Sequence, residues 1–279
     1  MAARAAVEAL LRERKLDRTL TSTLPERLGE DAVAPLDIPA LDRGLAGWAS
    51  PQGIEAGGLP RGQVSEVVGP ASSGRTSVAW AALAAASRRG DSIALIDTCD
   101  RFDPPTAQAC GIDLSKLLWV RGQAISKLSG AVDPAWLPGV RAVNGPGTVM
   151  ERVIDRAIKA LNLVVQSGVC TLVVIDLIDL PAAVLRRLPA ATWFRIERAI
   201  EGSDTAVLIL AATAVARSAG GRSIALGADR RALWKGEHDR SRRVAGVQLR
   251  ASFSAARWSR AATIPIDTAV INRLAEAGR

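Results

Sequence analysis

The chain has 279 residues, of which 48% are hydrophobic and 23% charged, with a net charge of +8 and an isoelectric point near 10.3. This composition is typical of a folded protein with one large α/β core or two small ones, and it excludes a disordered chain. Three cysteines are too few for a disulfide framework, and a single histidine argues against a histidine-based metal site or catalytic triad.

The first stretch of the chain is rich in alanine and arginine and predicts a helix over residues 1–14. It lacks the continuous apolar run of a secretory signal, and no run in the chain approaches the length of a membrane span. We therefore expect a cytoplasmic protein with no membrane partner. The apolar face of this helix carries Ala6, Leu10 and Leu11.

Strands and helices alternate after residue 35. The predicted strands are short and apolar, and they cover residues 63–68, 92–97, 117–120, 171–175 and 206–211. The predicted helices have apolar residues at helical spacing, and they cover residues 41–45, 77–88, 106–110, 148–166 and 191–200. This alternation predicts an α/β fold with a mostly parallel twisted sheet flanked by helices.

The end of the chain has a different pattern. Residues 244–253 and 264–266 predict late antiparallel edge strands, and residues 267–277 predict a final helix with Asp267 as its N-cap. We therefore expect a core over residues 36–266 and a C-terminal helix over 267–279.

One loop carries the most specific motif in the chain. Residues 69–77 have the spacing of a phosphate-binding loop, G-x-x-x-x-G-K-[ST], with Arg75 in the place of the lysine. Backbone N–H groups of such a loop and the N-terminus of the next helix bind anions. The candidate nucleotide-binding residues of the loop are Gly69, Ser72, Ser73, Gly74, Arg75, Thr76 and Ser77.

Longer blocks of sequence surround this loop. The block GGLPRGQVSEVVGPASSGRTS leads into and includes it, and IALIDTCDRFDPPTAQACGIDLSKLLWVRG follows. In the order of these blocks, residues 41–118 resemble the RecA recombinase family, and a weaker resemblance continues to about residue 249. The resemblance implies a RecA-like P-loop NTPase core that binds ATP with Mg²⁺. It places Thr76 and Asp176 at the metal positions and Asp176 at the Walker B acid.

The resemblance also implies that residues 1–35 form a segment that docks through Ala6, Leu10 and Leu11 on a recombinase protomer. The alternative is that this helix packs on the core of its own chain. The C-terminal helix over 267–279 is a second candidate surface for a partner.

The sequence departs from the RecA pattern at three positions that the resemblance implies are catalytic. Arg75 replaces the lysine, Cys99 stands where the family has its glutamate base, and the strand over 206–211 ends without the Asn-Gln pair that senses the γ-phosphate. A general base contributes about 10²–10⁴-fold to a rate. We therefore expect no catalytic residue and little or no ATP hydrolysis.

Basic residues follow the predicted strands. Contact with DNA or with an acidic partner is expected at Arg186, Arg187, Arg217, Arg222, Arg230, Arg231, Arg240, Arg242 and Arg243. The alternative for the densest part, residues 230–243, is a solvated loop.

The pattern of losses is similar to that of ImuA, the RecA-like accessory-factor family of the bacterial damage-inducible mutasome. This resemblance implies a role in the SOS response and error-prone translesion synthesis. The implied partners are the RecA recombinase, an ImuB-like polymerase-related subunit and an error-prone polymerase, with weak DNA binding and association with the nucleoid. Two alternatives stay open, which are an active DNA-dependent ATPase or recombinase and a cell-division inhibitor.

Overall fold

The computed structural model describes residues 33–46, 57–122, 149–216, 220–238, 240–254 and 263–267. The predicted N-terminal docking segment with Ala6, Leu10 and Leu11 lies outside these residues, and so does the helix predicted over 267–277. The division of the chain into three segments therefore stays a prediction.

Strands form two sheets. A small antiparallel sheet joins β1 (Val33–Ala34) to β2 (Leu59–Pro60). The strands of the large sheet are β3 (Val64–Val68), β4 (Ile93–Asp97), β5 (Leu117–Arg121), β6 (Leu172–Asp176), β7 (Ala206–Ala211), β8 (Ser223–Lys235), β9 (Arg243–Ser254) and β10 (Thr263–Asp267). Their order across the sheet is β10-β9-β8-β3-β7-β6-β4-β5. The pairs from β8 to β5 are parallel, and β8, β9 and β10 pair antiparallel.

Helices cover both faces of this sheet. They are α1 (Pro39–Ala46), α2 (Arg75–Arg88), α3 (Pro104–Ala109), α4 (Val149–Ser167), α5 (Ala182–Leu185) and α6 (Ala190–Ile200), with a 3₁₀ turn at Leu114–Lys116. Within the described ranges, no helix combines the length and the apolarity needed to cross a membrane.

The side chains of the central strands alternate between two cores. In β4, Leu95 packs with α2 on one face, whereas Ile96 packs with α4 on the other. In β6, Val174 likewise packs on the α2 face and Ile175 on the α4 face. This alternation follows from the period of two in a β-strand, and burial on both faces explains why these strands are continuously apolar. The predicted α/β fold is confirmed: the architecture is that of a RecA-like core.

Two elements differ from the sequence predictions. Both ends of the basic stretch over 230–243, for which a solvated loop was the alternative, lie in a long antiparallel ribbon: residues 230–235 belong to β8, and Arg243 begins β9. β8 was not predicted, because its sequence contains Gly227 and several charged residues instead of an apolar run, and its pairing is irregular between Leu226 and Arg230. The short helix α5 also lies in a stretch for which only a loop was expected.

Candidate phosphate-binding site and the cavity at the sheet edge

The candidate phosphate-binding loop lies at the carboxyl edge of the parallel strands. Strand register pairs Val67 with Leu210, Leu210 with Asp176, and Asp176 with Asp97. With strands about 4.8 Å apart, Asp176 lies two strands, or about 10 Å, from the end of β3. The loop that follows β3 therefore faces the two acids that end β6 and β4.

Close packing explains the two glycines that define the loop. A Cβ on Gly69 would lie 2.6 Å from Ser73 Oγ and 2.7 Å from the carbonyl oxygen of Leu226 in β8. Gly74 has a φ of +95°, and a Cβ there would overlap the side chain of Leu249 in β9. Only glycine adopts such a backbone conformation without cost and leaves this space free.

Several hydrogen-bond donors of the loop are available to an anion. Helix α2 begins after Gly74, and no side chain caps its first turn. The hydroxyl of Ser73 and the Nη1 atom of Arg75 are buried and have no partner among the described residues. Thr76 is exposed and Ser77 half-buried at the start of the helix. An uncapped N-terminus with buried, unpaired donors has the chemistry of a phosphate site.

Arg75 is buried, with a relative exposure of 6%. Burial lowers the pKa of its guanidinium, and the negative charges of Asp176 and Asp179 oppose this shift. The guanidinium keeps the charge of the expected lysine but is planar and forked. It can therefore attract a phosphate, although it does not reproduce the compact point charge of an ammonium.

Asp176 has the position and the chemistry of a Mg²⁺-ordering acid. Burial raises its pKa to about 6, with further contributions from Asp97 and Asp179, and the N–H of Ile178, which donates to Asp176 Oδ1 at 2.9 Å, opposes the rise. A bound cation would favour the ionised carboxylate. With Mg²⁺-nucleotide bound, Thr76 and Asp176 would hold the metal. In the described residues no group of three or more His, Cys, Asp or Glu side chains forms a metal site by itself.

Cys99 follows β4, where the RecA resemblance expects a glutamate. Its thiol is buried against the α4 core. Burial raises the pKa of Cys99 to about 12, and the charges of Asp179, Asp176 and Asp97 add to this rise. The thiol is therefore neutral near pH 7 and does not act as a general base.

The carboxylates of the neighbouring Asp97 and Asp100 already accept hydrogen bonds in the folded protein. Asp97 accepts hydrogen bonds from the N–H groups of Arg101 and Phe102 and from Trp119 Nε1, at 2.8 to 3.2 Å. Asp100, the one acid that could replace the lost glutamate, has a φ of +54° and forms a bidentate pair with Arg121 at 2.9 and 3.0 Å. To act as a base, Asp100 would first have to leave Arg121.

A buried glutamate, which sequence reasoning missed, fixes the segment after β7. Glu66 in β3 accepts hydrogen bonds from the N–H groups of Val215 and Ala216, at 2.9 and 3.1 Å. On the other side of that segment, the N–H of Arg222 donates to Ser65 Oγ at 3.1 Å. The available signal was a charged residue within a predicted strand that leads into the phosphate-binding loop.

The predicted basic residues fall in different places. Arg186 and Arg187 are exposed around α5, and Arg187 pairs with Glu151 of α4 at 3.1 Å. Arg222 is half-buried and donates to the carbonyl of Gly220, and burial lowers the pKa of its guanidinium. Arg217 lies outside the described residues.

The other five predicted basic residues belong to the ribbon of β8 and β9 or to the turn between these strands. They are Arg230, Arg231, Arg240, Arg242 and Arg243. Arg231 and Lys235 are exposed in β8, and Trp234 between them is 58% exposed. Because successive side chains of a strand point to opposite faces, the Trp234 ring lies on one face of the ribbon, and Arg231 and Lys235 lie on the other.

A cavity of about 480 Å³ lies on the opposite face of the sheet from α2, between the ends of β4 and β5 and helix α4. Ile96, Val120, Val153, Ala157 and Ala160 line its apolar part.

The polar side of this cavity is formed by Thr98, the Asp100–Arg121 pair and Arg156. Thr98 is buried, and its hydroxyl has no partner in the part of the chain that the structure describes. The close approach of β5 to β4 depends on Gly122, because a Cβ there would lie 2.6 Å from the carbonyl oxygen of Asp97 and overlap that of Thr98. Sequence reasoning did not find this cavity.

Comparison with known proteins agrees with the fold and the loop. Residues 14–126 match the RecA N-terminal domain. The chain is 37% identical over 126 residues to RecA of Chlorobaculum parvum, and this alignment covers 42% of this chain and 35% of that protein. It is 30% identical over 187 residues to RecA of Blastochloris viridis, which covers 60% of this chain and 53% of that protein.

A third similar protein is RecA of Saccharopolyspora erythraea, 44% identical over 92 residues, which are 33% of this chain and 25% of that protein. The chain thus spans between a quarter and about half of the length of these relatives. The fold and the loop define a RecA-like α/β domain, and the chain is similar to RecA over a region that contains the phosphate-binding loop.

Proposed function

We propose that this protein is a RecA-like interaction module that has lost ATP hydrolysis and acts in the DNA damage response and error-prone translesion synthesis. In this role it binds and modulates the RecA recombinase, the mutasome polymerase subunits, or both. The relation to RecA supports the theme of DNA repair. The buried, neutral Cys99 at the position of the base supports the loss of hydrolysis.

The observation that carries the proposal is the cavity beside the edge strand β5. Within the described residues, β5 has a neighbouring strand on one side only, and Leu118 in it is 49% exposed. An open strand edge beside a cavity that has an apolar side is a surface to which an extended segment of another protein can add, with backbone hydrogen bonds along the strand and one side chain in the apolar part of the cavity. We propose that this surface accepts a segment of the recombinase or of a polymerase subunit.

Filling the cavity tests this proposal. Ala160→Phe places an aromatic ring where the apolar side chain of the partner would lie, and we expect it to weaken binding to purified RecA at least tenfold. Ala199→Phe on the outer face of α6 is the matched control and should leave binding unchanged, because Ala199 is exposed and does not line the cavity. Equal affinities of the two variants, with equal melting temperatures, would contradict the proposal.

The N-terminal segment is a second proposed contact. We propose that Ala6, Leu10 and Leu11 dock on a recombinase protomer and cap or block its filament. A truncated protein that begins at residue 36 should bind RecA less tightly and should no longer limit filament growth on single-stranded DNA. Undiminished binding by this truncation would remove the N-terminal contact from the proposal and leave the contact at the cavity.

The phosphate-binding loop is proposed to retain ATP with Mg²⁺ without hydrolysing it. The buried donors at Ser73 and Arg75, which have no partner among the described residues, support binding. An active DNA-dependent ATPase is the second candidate, because Asp176 is retained and Asp100 lies next to the missing base. Phosphate release in the presence of single-stranded DNA separates the two: we expect none above background, and robust turnover that Thr76→Ala abolishes would favour the ATPase.

The ribbon of β8 and β9 supports weak DNA binding. We expect the affinity for an oligo-dT strand, measured by fluorescence anisotropy, to fall steeply with salt. Trp234→Ala should weaken it by about 1–3 kcal/mol if the ring stacks on a base. Phe194→Ala on α6, which removes an equally exposed aromatic side chain, is the control. An equal effect of both substitutions would remove the ribbon from the DNA interface.

A further inference from the structure

The outer face of α4 carries three exposed basic side chains, which outnumber the one exposed carboxylate on this side of the helix, that of Asp155. Arg152, Arg156 and Lys159 are exposed, and the spacing of four and then three residues places them on one side of the helix. They form no ion pair with any residue in the described ranges. Other arginines near the sheet edge are paired, such as Arg121 with Asp100 and Arg101 with Asp179. We call Arg152, Arg156 and Lys159 the α4 stripe.

The stripe is bounded by apolar surface at both of its flanks. Arg156 also lines the cavity at the sheet edge, whose lining includes Val153 and Ala157. One turn beyond Lys159, Leu163 is 70% exposed on the same side of the helix. At a rise of 1.5 Å per residue, the distance along the helix from Arg152 to Leu163 is about 16 Å.

We infer that the α4 stripe binds an acidic, amphipathic segment of a protein partner, and this inference rests on the docking proposed at the cavity. The segment would place carboxylates against the three positive charges and apolar side chains in the cavity and on Leu163. A nucleic acid strand has phosphates for the charges, but its backbone has no apolar groups for the two flanks. The chemistry of the whole surface therefore favours a polypeptide.

The stripe would set partner choice and association rate more than the total affinity. Exposed charge pairs act at long range and are screened by salt. Arg152→Gln with Lys159→Gln removes two charges without touching the cavity. We expect this pair of substitutions to weaken binding to RecA about tenfold at roughly 50 mM salt and to have little effect at roughly 300 mM salt.

The matched control is Arg195→Gln with Arg198→Gln, which removes two exposed charges from α6. It should leave the affinity for RecA unchanged at both salt concentrations. Leu163→Ser tests the apolar flank against Phe194→Ser, since both side chains are exposed and neither substitution opens the core. We expect a loss of binding only for Leu163→Ser.

Two further probes separate a failure of this inference from a failure of the proposed function. Poly-L-glutamate should protect α4 from hydrogen exchange in a salt-dependent way, and the Arg152 and Lys159 substitutions should remove that protection. An oligo-dT strand should not protect α4.

The possible outcomes are distinct. If cavity filling abolishes RecA binding while the stripe substitutions leave it unchanged at low salt, the inference is overturned and the proposed docking stands. If RecA does not bind the unaltered protein, the proposed function fails, and the poly-L-glutamate result decides the inference alone. Protection of α4 then supports it, whereas no protection, or protection by oligo-dT instead, overturns it.

Discussion

Restoring the glutamate of the RecA pattern at Cys99 should destabilise this protein in a pH-dependent way. The thiol is 4% exposed and lies among apolar side chains of the α4 core. Three carboxylates, those of Asp97, Asp176 and Asp179, also raise its pKa. A carboxylate placed by Cys99→Glu would meet the same burial and the same negative charges, so its ionised form should be disfavoured to a similar extent.

The size of this destabilisation follows from the pKa shift of the Cys99 thiol. Its pKa rises from 9.0 to about 12, which corresponds to about 4 kcal/mol against the charged form. The same penalty on a glutamate moves its pKa from about 4.3 to about 7. Because the folded-state value lies above the unfolded one, the penalty is absent below about pH 4 and grows as the pH rises. It amounts to about 3 kcal/mol at pH 7 and reaches its full size above pH 8.

Urea denaturation of Cys99→Glu and Cys99→Gln between pH 4 and pH 8 measures this penalty. The two side chains have nearly the same size, so the cost of overpacking cancels in the comparison and the difference isolates the charge. We expect equal stabilities near pH 4 and a gap of about 3 kcal/mol at pH 7. A constant gap, or none, over the whole range would refute the view that this site excludes a carboxylate.

Three further predictions concern buried groups of the same region. Because burial raises the pKa of Asp176 to about 6, Asp176→Asn should stabilise the protein at pH 7.5 and lose this advantage towards pH 4, as urea denaturation at both pH values will show. Glu66→Gln weakens two hydrogen bonds from the N–H groups after β7 and should cost about 1–2 kcal/mol, with faster hydrogen exchange confined to that segment; global acceleration would contradict it. Gly122→Ala should lower the melting temperature further than Gly90→Ala, because alanine at Gly90 meets open space and carries only the backbone strain of a φ of +89°, whereas a Cβ at Gly122 overlaps the backbone of Thr98.

The parts of the fold that could be predicted are those in which local sequence and tertiary environment agree. The sequences of β4, β6 and β7 are almost continuously apolar because both faces of these strands are buried. The local sequence pattern and the tertiary environment therefore indicate the same element, a strand. β8 could not be predicted in this way. It pairs with β3 over three residues and then leaves the sheet as a ribbon with β9, so most of its length needs no apolar run.

In the candidate site, too, the local sequence places some residues, and only the tertiary structure brings the others together. The phosphate-binding loop is one continuous stretch with fixed spacing, so the sequence was sufficient to place Arg75 in it. The cavity requires β5 to pair with β4 and α4 to cover both strands, and Ile96 and Ala160 are far apart in the chain. Only tertiary structure brings such residues together. The pairing of Asp100 with Arg121 likewise depends on the β4–β5 register, in which Asp97 lies opposite Arg121.

The glycines of the phosphate-binding loop are a weaker sign of nucleotide binding than their motif suggests. Gly69 is required by the carbonyl of Leu226 and Gly74 by the side chain of Leu249, and both contacts belong to the folding of β8 and β9 against the loop. Selection for the fold alone would therefore retain the spacing. What the fold does not require is a buried hydroxyl at Ser73 and a buried Nη1 at Arg75 that both lack a partner in the described part of the chain, since each such group costs free energy. A bound phosphate would accept hydrogen bonds from both groups and so offset that free-energy cost. ATP should therefore raise the melting temperature of the unaltered protein and have a smaller effect on Ser73→Ala, and an equal effect on both would leave the loop with a structural role only.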